Sequence, residues 1–220
     1  HRGTLSVALP FMSEELNLNK ADLGLLSSAF FIIYAFMQVP GGWLVDRFGV
    51  RRVYALSFSF WSLMSALSGF AVNFATLFGL RVAVGIGQSA LFPASSRAVA
   101  NWFQEHERGF VTGIYLIGVR FGTALINLIG AYFLVRYSWK LFFIVSGLVP
   151  LLWLLPWTKF LRRWEVIPAA TKTTAPSPPF WKSFALLRHR SVLGIFLGFF
   201  AYDYAWYVFI TWLPGYLRLE

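Results

Sequence analysis

The 220-residue chain is 58% hydrophobic, 20% aromatic and only 13% charged, with 19 Lys and Arg against 9 Asp and Glu for a formal net charge of +10. Soluble domains carry about 25% charged residues, and a globule of this size has too small an interior to hide so much apolar surface from water. Soluble enzymes, disordered tails and disulfide scaffolds are excluded, the last also because the chain has no Cys.

What remains is an integral membrane protein. A crossing helix needs about 20 apolar residues at roughly 1.5 Å each. The segment 4–12 is apolar but too short and ends at Ser13-Glu14-Glu15, which reads as an exit into water. With no initiator Met at His1 and no charged region ahead of it, residues 1–12 read as the second half of a severed first helix, not as a signal peptide. Runs 23–45 and 53–74 contain no charge; run 75–102 holds Arg81 and Arg97, and run 109–135 holds Arg120. Run 141–158 is uncharged and of marginal length, and run 191–217 holds one acid, Asp203. That predicts an all-α protein with six spans after the remnant.

Segments 46–52, 101–108 and 157–190 hold eleven basic residues and the alternating segments 13–22, 70–75, 136–140 and 214–220 hold four. The first set is thereby assigned to the cytoplasm, and the positive charge needs no nucleic acid to explain it. Residues 159–190, rich in Pro and charge, read as a linker between two membrane domains, with a short amphipathic piece around 181–190. The expected organisation is a bundle over 1–158, that linker, and the first helix of a second bundle over 191–220.

Between the second and third helices stands Gly42-Trp43-Leu44-Val45-Asp46-Arg47-Phe48-Gly49-Val50-Arg51-Arg52. Gly42 allows close helix approach and Gly49 a tight turn, while Asp46 can take a charge-assisted bond from an Arg or the N-terminus of a neighbouring helix. This loop resembles the cytoplasmic signature of the major facilitator superfamily. Further stretches are similar to one branch, the anion:cation symporters: Arg2 to Pro10, Phe30-Phe31 through Gln38 to Gly42, and Arg81 through Pro93 to Arg97. So are Asn101-Trp102-Phe103, Glu107-Arg108-Gly109 and Thr211-Trp212-Leu213-Pro214. The resemblance covers nearly the whole chain. It implies the major facilitator fold in a bacterial plasma membrane, a six-helix N-terminal bundle short of half a helix, and the seventh helix. It also implies proton-driven uptake of a small organic anion such as a hexonate, hexuronate or aldarate by alternating access, as a monomer and without a cofactor. A non-transporting sensor on the same fold and an uncoupled or sodium-coupled facilitator are the alternatives.

The charges inside the membrane point to an anion independently. Each costs about 2.5–3.5 kcal/mol at bilayer depth, yet Arg2, Arg81 and Arg120 face only one acid, Asp203. Even if Asp203 pairs with one of them, two guanidinium groups that cannot neutralise themselves need an anionic partner. Arg2 and Arg81 match the branch's anion-binding arginines, and Tyr34 and Tyr207 match tyrosines near its cavity. Arg81, Gln88 and Ser95 recur on one helix face, and Gln88 completes the candidate substrate set. Arg120 stands between Gly118 and Gly122, a pair that would let a neighbouring helix close; substrate contact and a pair with Asp203 are both open to it. Arg97 snorkels, binds the loop latch or contacts substrate. Proton-coupled members carry acids where this chain has His1 and Gln88. Gln cannot titrate, which leaves His1 and Asp203 as the proton-coupling candidates. No Ser–His pair, carboxylate pair or His spacing for a metal marks an intramembrane enzyme.

Overall fold

The computed structural model describes residues 2–164 and 188–216. The chain divides into two compact units, 1–174 and 175–220. In the first, the described helices are α1 (Arg2–Glu15), α2 (Lys20–Phe48), α3 (Val50–Leu67), α4 (Phe74–Gln88), α5 (Leu91–Trp102), α6 (Arg108–Arg136), α7 (Trp139–Leu148) and α8 (Leu154–Trp164). In the second, α9 spans Arg190–Tyr216.

Short polar residues start these helices by satisfying amides that have no partner in a first turn. Asn19 and Asp22 form a reciprocal capping box at α2, with bonds of 2.9 and 3.0 Å. Asn73 accepts from the Thr76 amide at 2.8 Å ahead of α4, and Ser138 accepts from the Lys140 amide ahead of α7. A single residue, Gly49, separates α2 from α3. Its φ of +86° is one that a side chain would strain, as its place in the loop predicts.

Five stretches among the described residues are long and apolar enough to cross a membrane: Ala21–Phe48, Val50–Phe70, Phe74–Trp102, Arg108–Arg136 and Trp139–Lys159. They coincide with the runs at 23–45, 53–74, 75–102, 109–135 and 141–158. Two are not the uninterrupted helices the sequence suggests, and proline explains both. Run 75–102 breaks at Ser89-Ala90 between α4 and α5. Pro93 has no amide to give the Ser89 carbonyl, and its ring crowds that turn. The Ser89 hydroxyl bonds the Ile86 carbonyl at 2.7 Å beside the break. Likewise α7 and α8 are joined by a 3₁₀ turn, Val149–Trp153, that carries Pro150. At the other end, α1 runs beyond the expected exit at Ser13. Its last residue, Glu15, accepts from the Trp139 indole and the Lys140 ammonium at the start of α7. Hydrogen bonding to Lys140, then to Trp139, holds the Glu15 carboxyl below its ordinary range, against a smaller opposing effect of desolvation.

α2 and α3 both pack on α4, α3 packs on α7, and α1 packs on α6 and α7. Close approaches are made by small residues: a Cβ on Gly147 would lie 2.5 Å from the Ala66 amide nitrogen. Lipid gives helices no hydrophobic reason to associate, so close backbone contact of this kind has to do it. Leu5, Met12, Leu26, Leu77 and Phe143 form one buried cluster near the Glu15 end. Val45, Val53, Ala90 and Ala94 form another at the opposite end, with Phe30, Tyr34, Trp61 and Val84 making a third. Large apolar side chains such as Leu56, Val135 and Ile195 are more than 70% exposed, as expected of surfaces that meet hydrocarbon.

Candidate functional site

Arg81 is on α4, 3% exposed. Its guanidinium carbon sits 5.1 Å from the centroid of the Phe143 ring on α7. Its Nε and Nη2 are buried with no hydrogen-bond partner among the described residues. A cation–π contact returns about 0.5–2 kcal/mol, less than the several kcal/mol it costs to desolvate an ion. Two forked donors with no acceptor are therefore an energetic deficit that an anion would cancel.

Two helical turns further on, Gln88 is 5% exposed. It borders a cavity of about 450 Å³ within the first unit, a volume typical of small-molecule sites. Thr4 on α1, Tyr54 and Trp61 on α3, Thr123 on α6 and Ser146 on α7 contribute to its wall. Trp61 is wedged against α4, where a Cβ on Gly87 would come within 2.8 Å of the Trp61 Cβ. Arg81 is not part of this wall.

The structure separates other residues that the sequence grouped. Tyr34 is buried and stacked on Phe30, with ring centroids 5.7 Å apart, and it does not border the cavity. Ser27 and Thr123 bond carbonyls one turn back on their own helices, as polar side chains in membranes commonly do. Among the described residues, a Cβ on Gly118 or Gly122 meets nothing within 4 Å, and both glycines border the cavity. Arg120 between them is exposed. Asp203 lies on α9 in the other compact unit, along a recess formed by that helix's own Val192, Phe196 and Phe199. His1 and the side chains of Arg2 and Tyr207 lie outside the described residues. No three His, Cys, Asp or Glu side chains among the described residues assemble a metal site.

The loop 42–52 forms a second cluster. Asp46 pairs with Arg97 of α5 at 3.4 Å, both side chains about half exposed at 46% and 53%. Of the roles open to Arg97, the structure thus shows the contact with the loop. Arg47 stacks over the Trp43 and Phe48 rings, and Arg51 donates to the Thr158 carbonyl of α8 at 3.3 Å. Arg52 is exposed. The tight glycine is Gly41, whose Cβ would lie 3.1 Å from the Ala90 Cα, whereas a Cβ on Gly42 would make ordinary contact with Pro93 at 3.7 Å. Sequence reading missed Gly41, the Arg51 contact and the cavity wall at Thr4, Tyr54 and Trp61. Only the adjacent Gly41-Gly42 pair carried a visible signal.

The described residues thus combine, in an all-helical fold with spans long and apolar enough to cross a membrane, a buried cation, a cavity and an ion-paired end loop. The profile of the Major Facilitator Superfamily matches residues 2–220, and the chain belongs to that family. It is 34% identical to a D-galactonate transporter of Escherichia coli O6:H1 over 100% of this chain and 56% of that protein. It is 33% identical to a hexuronate transporter of Bacillus subtilis, covering 98% of this chain and 52% of that one. A probable galactarate/D-glucarate transporter of Escherichia coli K12 is 31% identical over 100% and 56%. The chain thus spans about half the length of these relatives. A bacterial homologue of the human lysosomal transporter Spinster, solved in an inward-facing, occupied conformation, shares the fold with a TM-score of 0.59 at 24% identity. That match covers 72% of this chain and 40% of the other.

Proposed function

We propose that the full-length protein moves a small sugar acid, such as a hexonate, hexuronate or aldarate, across the bacterial plasma membrane by alternating access, coupled to protons. The observation that carries this reading is Arg81, a buried guanidinium with two nitrogens lacking hydrogen-bond partners among the described residues. A carboxylate is the partner whose geometry fits that fork. The sugar-acid names of the relatives agree with it. In this proposal Arg2 joins Arg81 at the carboxylate. Gln88 contacts the remainder of the cargo, with Tyr34, Arg120 and Tyr207 as further contacts, and His1 and Asp203 are the groups able to carry the coupling proton. Residues 1–158 act as one bundle, 159–190 as the connection, and α9 as the start of the second bundle. Proteoliposomes of the full-length protein should take up labelled D-galactonate or D-gluconate when a proton gradient is imposed. Uptake of the matching alditol in its place would refute an anion carrier.

The loop cluster supplies a gate in the same reading. Asp46 with Arg97 ties the end of α2 to α5, and Arg51 ties the start of α3 to α8. A half-exposed pair contributes at most about 1 kcal/mol to stability. Its effect should therefore lie in the rate of exchange between states. Asp46→Asn is expected to slow turnover by about tenfold, that is by roughly 1.4 kcal/mol of barrier, with affinity within twofold of wild type. Unchanged turnover would remove the latch from the cycle.

A further inference from the structure

The wall of the cavity beside Gln88 discriminates between classes of cargo. That wall contains no Asp, Glu, Lys or Arg among the described residues. Its largest surfaces are the rings of Tyr54, Phe58 and Trp61, with Phe58 and Trp61 edge to face at 4.9 Å. Aromatic faces carry negative charge density, and an ionised carboxylate taken into such surroundings without a cation loses its hydration uncompensated. Hydroxyl groups, by contrast, find complementary chemistry there. Gln88 and Thr123 present an amide and a hydroxyl. Neither of the described cations at membrane depth, buried Arg81 and exposed Arg120, is part of this wall.

Resting on the sugar-acid reading above, we infer that this cavity takes the uncharged polyhydroxy end of the cargo, so that the protein selects sugar monoacids over sugar diacids. The two classes differ at a single carbon: galactarate is D-galactonate with its terminal CH₂OH replaced by a carboxylate, and D-glucarate stands in the same relation to D-gluconate. The test is calorimetric binding of both matched pairs to the purified full-length protein, and to its Gln88→Lys variant, which places a cation in the wall. Each monoacid that binds is expected to bind ten times more tightly than its diacid partner, and Gln88→Lys to narrow that ratio tenfold or more. A diacid bound as tightly as its monoacid in the wild-type protein overturns the inference while leaving the sugar-acid reading intact. Binding of none of the four acids, nor of D-glucuronate or D-galacturonate titrated alongside them, overturns both. Should Gln88→Lys fail to fold, the wild-type ratios decide alone.

Discussion

Arg81→Gln in the full-length protein is expected to abolish uptake of the organic anion while leaving a folded, inserted protein. The guanidinium supplies two charge-assisted donors that have no acceptor among the described residues, and each such bond to a charged group is worth about 1.5–3 kcal/mol. Losing both lowers transport efficiency by at least about a hundredfold, since 1.36 kcal/mol is a tenfold change in rate. The effect on stability should have the opposite sign. Arg81 is a desolvated ion held by a ring contact with Phe143, and replacing an uncompensated buried charge by a neutral amide is neutral to stabilising. Thermal unfolding of the purified variant, recorded without ligand, should therefore match or exceed wild type. Arg81→Lys keeps the charge but not the planar fork and should recover only a part of the uptake. Wild-type uptake by Arg81→Gln would make the residue structural.

Gly147→Ala should loosen the packing of α3 on α7. The added Cβ falls 2.5 Å from the Ala66 amide nitrogen and 2.7 Å from its Cα. These are backbone atoms of α3 that no rotamer change can clear, so α3 and α7 must move apart. Overpacking of this kind costs about 1–3 kcal/mol and occasionally more. Trimming the partner side chain does not help, and Ala66→Gly should fail to rescue it. Gly118→Ala is the control, because nothing lies within 4 Å of its Cβ; that variant should unfold at the wild-type temperature. Equal unfolding temperatures for Gly147→Ala and wild type would contradict the α3–α7 contact.

The spans were readable because crossing a membrane demands long apolar runs between basic loops, and five of the predicted runs coincide with helical stretches of the fold. The turn at Gly49 and the acid at Asp46 were readable for a similar local reason: spacing alone places them between two helices. The break at Ser89-Ala90 was in principle visible, since Pro93 stands four residues after the carbonyl it deprives. What could not be read is which apolar face looks at lipid and which at another helix. In water the two differ in composition, but in a membrane both are apolar, so Thr4, Tyr54 and Trp61 gave no sign that they share a cavity. Gly118 and Gly122 show the same ambiguity, because small residues four apart serve equally to admit a helix and to leave room for a cavity.

Titration calorimetry of D-galactonate and D-gluconate against galactitol and D-glucitol, with the full-length protein and its Arg81→Gln variant, tests whether the buried arginine recognises an anionic cargo. The wild-type protein is expected to bind an acid, the matching alditol to give no heat of binding, and the acid's signal to disappear in Arg81→Gln. Binding of an alditol as tightly as its acid, or unchanged binding of the acid by Arg81→Gln, would contradict that recognition.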